Sequence, residues 1–169
     1  MIDIPVSALL VAGFALAHAT WSVSDTAPTD LLVPLAITEH DGKRTLQRFE
    51  AETQVQAISA GKAAEKQMST SSDAWAFARE NAMRAPATSP TTQDVISVDF
   101  WARGMSEPVT LILRFERATA THGFRVIGQP IISVAGTELD AAQAQPLIET
   151  IMKGVLSHPK VSPLWNTWK

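Results

Sequence analysis

The chain has 169 residues, 46% of them apolar and 18% charged, with a formal charge of −3. Such a chain carries enough apolar side chains to build one core, and it lacks the charge-rich, apolar-poor composition of a disordered one. The absence of cysteine excludes disulfides, thiol nucleophiles and thiolate metal sites, and the mild acidity argues against a nucleic-acid partner, since Lys43-Arg44 is the one tight basic pair.

Ile4 to Ala19 is nearly all apolar. Pro5 suits a first helical turn because its missing N–H would be unpaired there, and Asp3 favours the positive helix end. A helix over Val6 to Trp21 is expected. It is short for a membrane span, which needs about 20 residues, so a buried helix is expected and no membrane partner. Ala17-His18-Ala19 offers an alternative, the end of an export signal, but such a signal opens on basic residues that are missing here. A cytoplasmic location is therefore expected, with export as the alternative.

Ser24 to Asp30 reads as a loop. Leu31–Glu39 and Arg44–Glu50 read as strands joined by a hairpin, because Asp41-Gly42 can take the positive φ that tight turns require. Pro34 cannot donate to a ladder and marks its strand as an edge or a bulge. Thr53–Met68 is expected as a helix with Val55, Ile58, Ala63 and Met68 inward.

Asp73–Asn81 alternates, with Trp75 and Phe77 on one side and Ala74, Ala76 and Ala78 on the other, which favours a strand; its alanines make a helix the rival. A loop is expected over 84–92. Gln93–Arg103 and Val109–Arg117 are the clearest strands. In the first, Val95, Ser97, Asp99 and Trp101 share a face; in the second, Thr110, Ile112, Arg114 and Glu116 do. Phe124–Ile127 and Ile131–Val134 are shorter pieces split by Gly128 and Pro130, and Ala135-Gly136-Thr137 turns the chain. Asp140 and Gln143 have capping-box spacing. The helix after them carries Leu147, Ile148, Ile151, Met152, Val155 and Leu156.

These elements predict one α+β domain over 1–169. Its sheet holds about five to seven antiparallel strands, by the rule that short turns join antiparallel neighbours. The first and last helices lie on one face, and a middle helix packs against the sheet.

Chemistry is sparse. No histidine pair has the spacing of a helical zinc site, no serine sits in a nucleophile elbow, and no glycine-rich phosphate loop exists. No metal or cofactor is expected, and an enzyme is the less favoured reading. Asp99 could meet Arg103, Arg114 and Glu116 across adjacent strands. With Trp75 and Trp101 as walls, Asp99 and Arg114 could hold a small polar ligand on the sheet face. Trp165 and Trp168, three apart in the tail, could instead anchor a protein partner or a second copy, since tryptophan is enriched at interface hot spots. A non-catalytic protein-binding module of immunity or adaptor type is the leading reading. A small-molecule-binding protein or unfamiliar enzyme is the alternative.

Overall fold

A computed structural model describes residues 3–27, 29–84 and 92–169. The order is α1 (Val6–Ser24), β1 (Leu35–His40), β2 (Lys43–Arg48), α2 (Gln54–Ser71), β3 (Ala74–Arg84), β4 (Thr92–Ala102), β5 (Val109–Glu116), β6 (Arg125–Val134), β7 (Thr137–Glu138) and α3 (Ala141–Leu156), closed by a short 3₁₀ turn at Trp165–Trp168. The strands form one sheet of seven in the order β2-β1-β3-β4-β5-β6-β7, and every neighbouring pair is antiparallel. The fold is thus α+β, as expected. Residues 85–91, most of the expected loop, lie outside the described residues.

Period-2 alternation sets the two faces. Leu35, Ile37, Ala76, Ile96, Val98, Phe100, Leu111, Leu113 and Phe115 are buried on the face that carries α1 and α3. The opposite face places Ala36, Trp75 and Phe77 beneath α2. The three alanines of β3 leave room on the first face for α1, which is long and apolar enough to cross a membrane but lies mostly buried between the sheet and α3.

Several boundaries and faces differ from expectation. The first strand begins at Leu35, not Leu31, because Pro34 stands at its entrance. That strand is interior, and β2 forms the edge. The inward face of α2 is Ala57, Gly61 and Met68, while Val55 is 78% exposed. The broad rings of Trp75 and Phe77 already fill that layer, so the helix must turn its smallest residues to them. A Cβ at Gly61 would overlap the Phe77 ring. The two short pieces near the C-terminal half are one strand, β6, with its register broken between Ile112 and Arg114 of β5. Gly128 supplies φ of +67° at that break.

The capping box forms as its spacing predicts. Gln143 N donates to Asp140 Oδ1 at 2.8 Å, and Asp140 N donates to Gln143 Oε1 at 3.2 Å. From there α3 crosses α1 closely. A Cβ at Gly13 would overlap the carbonyl oxygen of Ile151, and one at Gly154 would overlap that of Leu10. This crossing ties α3 to α1 and leaves it only lightly packed on β6.

Candidate functional site

The sheet-face candidates separate into different environments. Trp75 and Asp99 are 0% and 2% exposed beneath α2, so neither lines an open face. Trp75 donates from Nε1 to Ser69 Oγ at 2.8 Å and stacks on Trp101 with centroids 6.5 Å apart. Trp101, half-buried, donates to the Met105 carbonyl at 2.9 Å. These are the bonds that buried indoles require.

Asp99 anchors a polar network, but not with the partners expected from the sequence. Lys62 Nζ lies 2.6 Å from its Oδ2, Arg79 Nη1 3.1 Å from the same oxygen, and Thr110 Oγ1 donates to Oδ1 at 2.9 Å. Arg103 pairs with Asp73 instead, and Glu116 with Arg125. The register explains this, since Asp99 stands opposite Phe77 on β3 and Thr110 on β5, which puts Arg79 on its diagonal. Glu65 of α2 shares the network. Burial, then its hydrogen bond with Asp99, pushes it up to about 8, so it is a neutral acid at pH 7. Burial alone would raise Asp99 as well, but the Glu65 hydrogen bond, then Arg79 and Lys62, hold it at about 2. Two carboxyl groups split in this way are the raw material of acid–base chemistry. Closed beneath a helix, they serve to fix α2 on the sheet.

The histidines form a second interior group. His18 lies on α1, and its Nδ1 lies 3.1 Å from His158 Nε2. His158 Nδ1 accepts from Lys160 N at 3.2 Å. Nδ1 of His158 is therefore unprotonated, its Nε2–H donates to His18, and His18 carries its proton on Nε2, which is buried without an acceptor. This tautomer chain leaves no lone pair at His158 Nε2 for a metal. Burial lowers both rings and so favours their neutral forms.

His40, Asp41 and Asp73 bring ligand atoms within 4.8 Å of one another at the β1–β2 turn. The site is largely exposed, and both Asp73 oxygens are engaged, by Asp41 N at 2.9 Å and Arg103 Nη2 at 3.1 Å. It reads as a turn staple.

Trp165 and Trp168, the candidate partner anchors, form no exposed patch. Trp165 and Trp168 are 3% and 7% exposed. Trp168 meets Phe124 edge-on at 5.4 Å and Trp165 at 6.0 Å, so the tail docks on its own core.

Between α3, the break in β6 and this tail lies a cavity of about 550 Å³. Val126, Pro130, Ile148 and Trp165 are its buried floor, and Gln129, Gln145, Glu149 and Lys169 its exposed mouth. Its size and its apolar floor with a polar mouth match small-molecule sites. It exists because α3 is drawn to α1 at the two glycines and stands off β6. Gln145, Ile148, Glu149 and Met152 follow i, i+3, i+4, i+7 spacing, so the face was present in the sequence. Nothing there marked it as a cavity wall rather than core. Arg114, the last sheet candidate, stands on the α2 face of the sheet and does not line this cavity. Its Nη2 sits 2.6 Å from where a Cβ on Gly128 would stand.

No protein-family model, curated protein or solved structure matches the chain.

Proposed function

We propose that this chain is a non-catalytic binding protein for a small molecule with a largely apolar body, held between α3 and β6. The 550 Å³ cavity carries this reading. A ligand there would cover the apolar side chains of Ile148 and Met152 and the indole of Trp165 while its polar end stays at the mouth. Catalysis has less support, because the strongly perturbed carboxyls lie beneath α2, away from this cavity. The test is displacement of a solvatochromic apolar probe, alongside Ile148→Trp, which fills the cavity. Saturable probe binding that Ile148→Trp abolishes in a folded chain supports the reading. Probe binding that survives in that variant removes it.

A second reading keeps a protein partner but moves it away from the tail. Leu31 and Val33 are 49% and 39% exposed on the rim of an open cleft of about 510 Å³ that also carries Asp30, Glu50 and Glu52. Neighbouring exposed apolar side chains of this kind favour contact with another surface. Pull-down with the native chain and with Leu31→Ser/Val33→Ser tests it. A companion retained equally by both would end it.

A further inference from the structure

The cleft beside Leu31 and Val33 has two lips of different chemistry, and both come from the β1–β2 hairpin. Its ladder runs from His40 and Lys43 to Leu35 and Arg48, and Phe49 N adds one more bond, to the Pro34 carbonyl at 2.8 Å. Continuing that register would set Val33 opposite Glu50 and Leu31 opposite Glu52. Among the described residues no backbone hydrogen bond joins those pairs, so the two segments part there. On one side Leu32 N donates to Glu80 Oε1 at 3.0 Å, and the Asp30 carbonyl accepts from Arg117 Nη2 at 3.2 Å. On the other, Thr53 caps α2, and Gln54 Nε2 reaches across to the Leu32 carbonyl at 3.1 Å. The cleft of about 510 Å³ is the space left between them, with Pro34, Phe49 and Ala57 as its buried floor.

Residues two apart in an extended segment share a side. Leu31 and Val33 therefore give one lip two exposed apolar side chains, and Glu50 and Glu52 give the other two exposed carboxylates, with Asp30 nearby. Among the described residues none of these three acids has a cation within ion-pair distance. Arg117, which touches the Asp30 backbone, already gives both outer nitrogens to Glu80. Exposed carboxylates alone are ordinarily just solvated. Here they face a neighbouring apolar lip, which favours contact with another surface.

We infer that the protein partner of this cleft presents a lysine or arginine from an apolar segment, its stem on Leu31 and Val33 and its charged tip at Glu50 and Glu52. The inference rests on the partner reading of this cleft and adds to it the sign of the partner. Long basic side chains carry both halves of the required chemistry, an aliphatic stem and a cationic tip. The net charge of −3 favours the same sign of partner during encounter.

The test uses three short fluorescent peptides of equal length, alternating leucine with lysine, serine or glutamate, titrated by anisotropy. The lysine peptide should bind the native protein tightest. Glu50→Gln/Glu52→Gln should weaken it by at least about threefold, the scale of two exposed ion pairs. Leu31→Ser/Val33→Ser should weaken it as well. Glu107→Gln/Glu138→Gln, which removes the same charge from two exposed acids outside the cleft, should leave it unchanged. Equal binding of the lysine and serine peptides, tighter binding of the glutamate peptide, or equal losses in the two glutamine variants would overturn the cationic contact. The partner reading would still stand if Leu31→Ser/Val33→Ser abolished whatever binding was seen. Absence of binding by all three peptides, or binding indifferent to the changes on both lips, would overturn both.

Discussion

Gly13 of α1 lies against the carbonyl oxygen of Ile151 so closely that the two helices could not cross there with any larger residue. The same crossing brings Gly154 onto the Leu10 carbonyl, so backbone meets backbone from both sides. Backbone atoms cannot rotate away as a side chain can. Gly13→Ala should therefore destabilise the fold by at least the ~1–3 kcal/mol typical of an overpacked core, although alanine favours the helix itself. Urea unfolding measures it. A stability equal to the native value would mean that α1 and α3 slide apart at little cost.

Asp99→Ala should cost about 3–5 kcal/mol, because it strands Arg79 without its carboxylate in a buried site. Lys62, whose side chain is nearly half exposed, can turn to water and adds little. Replacing Asp99 and Arg79 together by apolar residues of similar volume should recover much of the loss. Equilibrium unfolding of the three variants decides this. A single Asp99→Ala change below about 1 kcal/mol would show that the network is dispensable.

Trp168→Ala should destabilise by about 3–5 kcal/mol, the usual cost of emptying a buried aromatic site. Its ring closes on Phe124 and Trp165, so the tail belongs to the core. Thermal melting of the variant, with its sedimentation profile, separates this role from that of an interface anchor. A lower melting point with unchanged sedimentation is the expected result.

Much of this architecture could be read from local pattern. The alternation in β4 and β5, the Asp41-Gly42 turn and the Asp140–Gln143 cap each depend on residues within a few positions of one another, and each formed. The partners of Asp99 did not follow, because they are set by the β3–β4 register and by where α2 lands, and neither is local. Val55 was placed inward on hydrophobicity alone, whereas α2 turns by the size of what it must pass, so Gly61 faces Phe77. The cavity was the least legible feature. It is a gap left when two glycines draw α3 toward α1, and a gap has no residues of its own to recognise. Arg114 stood among the candidates for its charge, but it stands on the sheet face opposite α3 and lines no part of the cavity.

The interior ionisable groups predict two opposed pH dependences of stability. His18 and His158 sit below their ordinary value of 6.5, chiefly through burial, with His158 and then Arg48 adding to the effect on His18. As pH falls below that value the unfolded chain gains protons that the folded chain refuses, so stability is lost on the acid side. Glu65 works in the opposite direction. Its ordinary value is 4.5 and burial beside Asp99 raises it to about 8, so the folded chain keeps a proton that the unfolded chain has released. The stability from that proton is complete below about pH 4.5 and is lost as pH rises to about 8. Below 6.5 the histidines therefore act against Glu65. Above 6.5 only Glu65 is left titrating among the three, and stability declines. Glu65→Gln should flatten the decline between pH 7 and about 8 while leaving the acid limb in place. His18→Phe should do the reverse. Chemical unfolding at half-unit pH steps measures both limbs, and a native profile that keeps rising through pH 8 would show that Glu65 is ionised inside the folded chain.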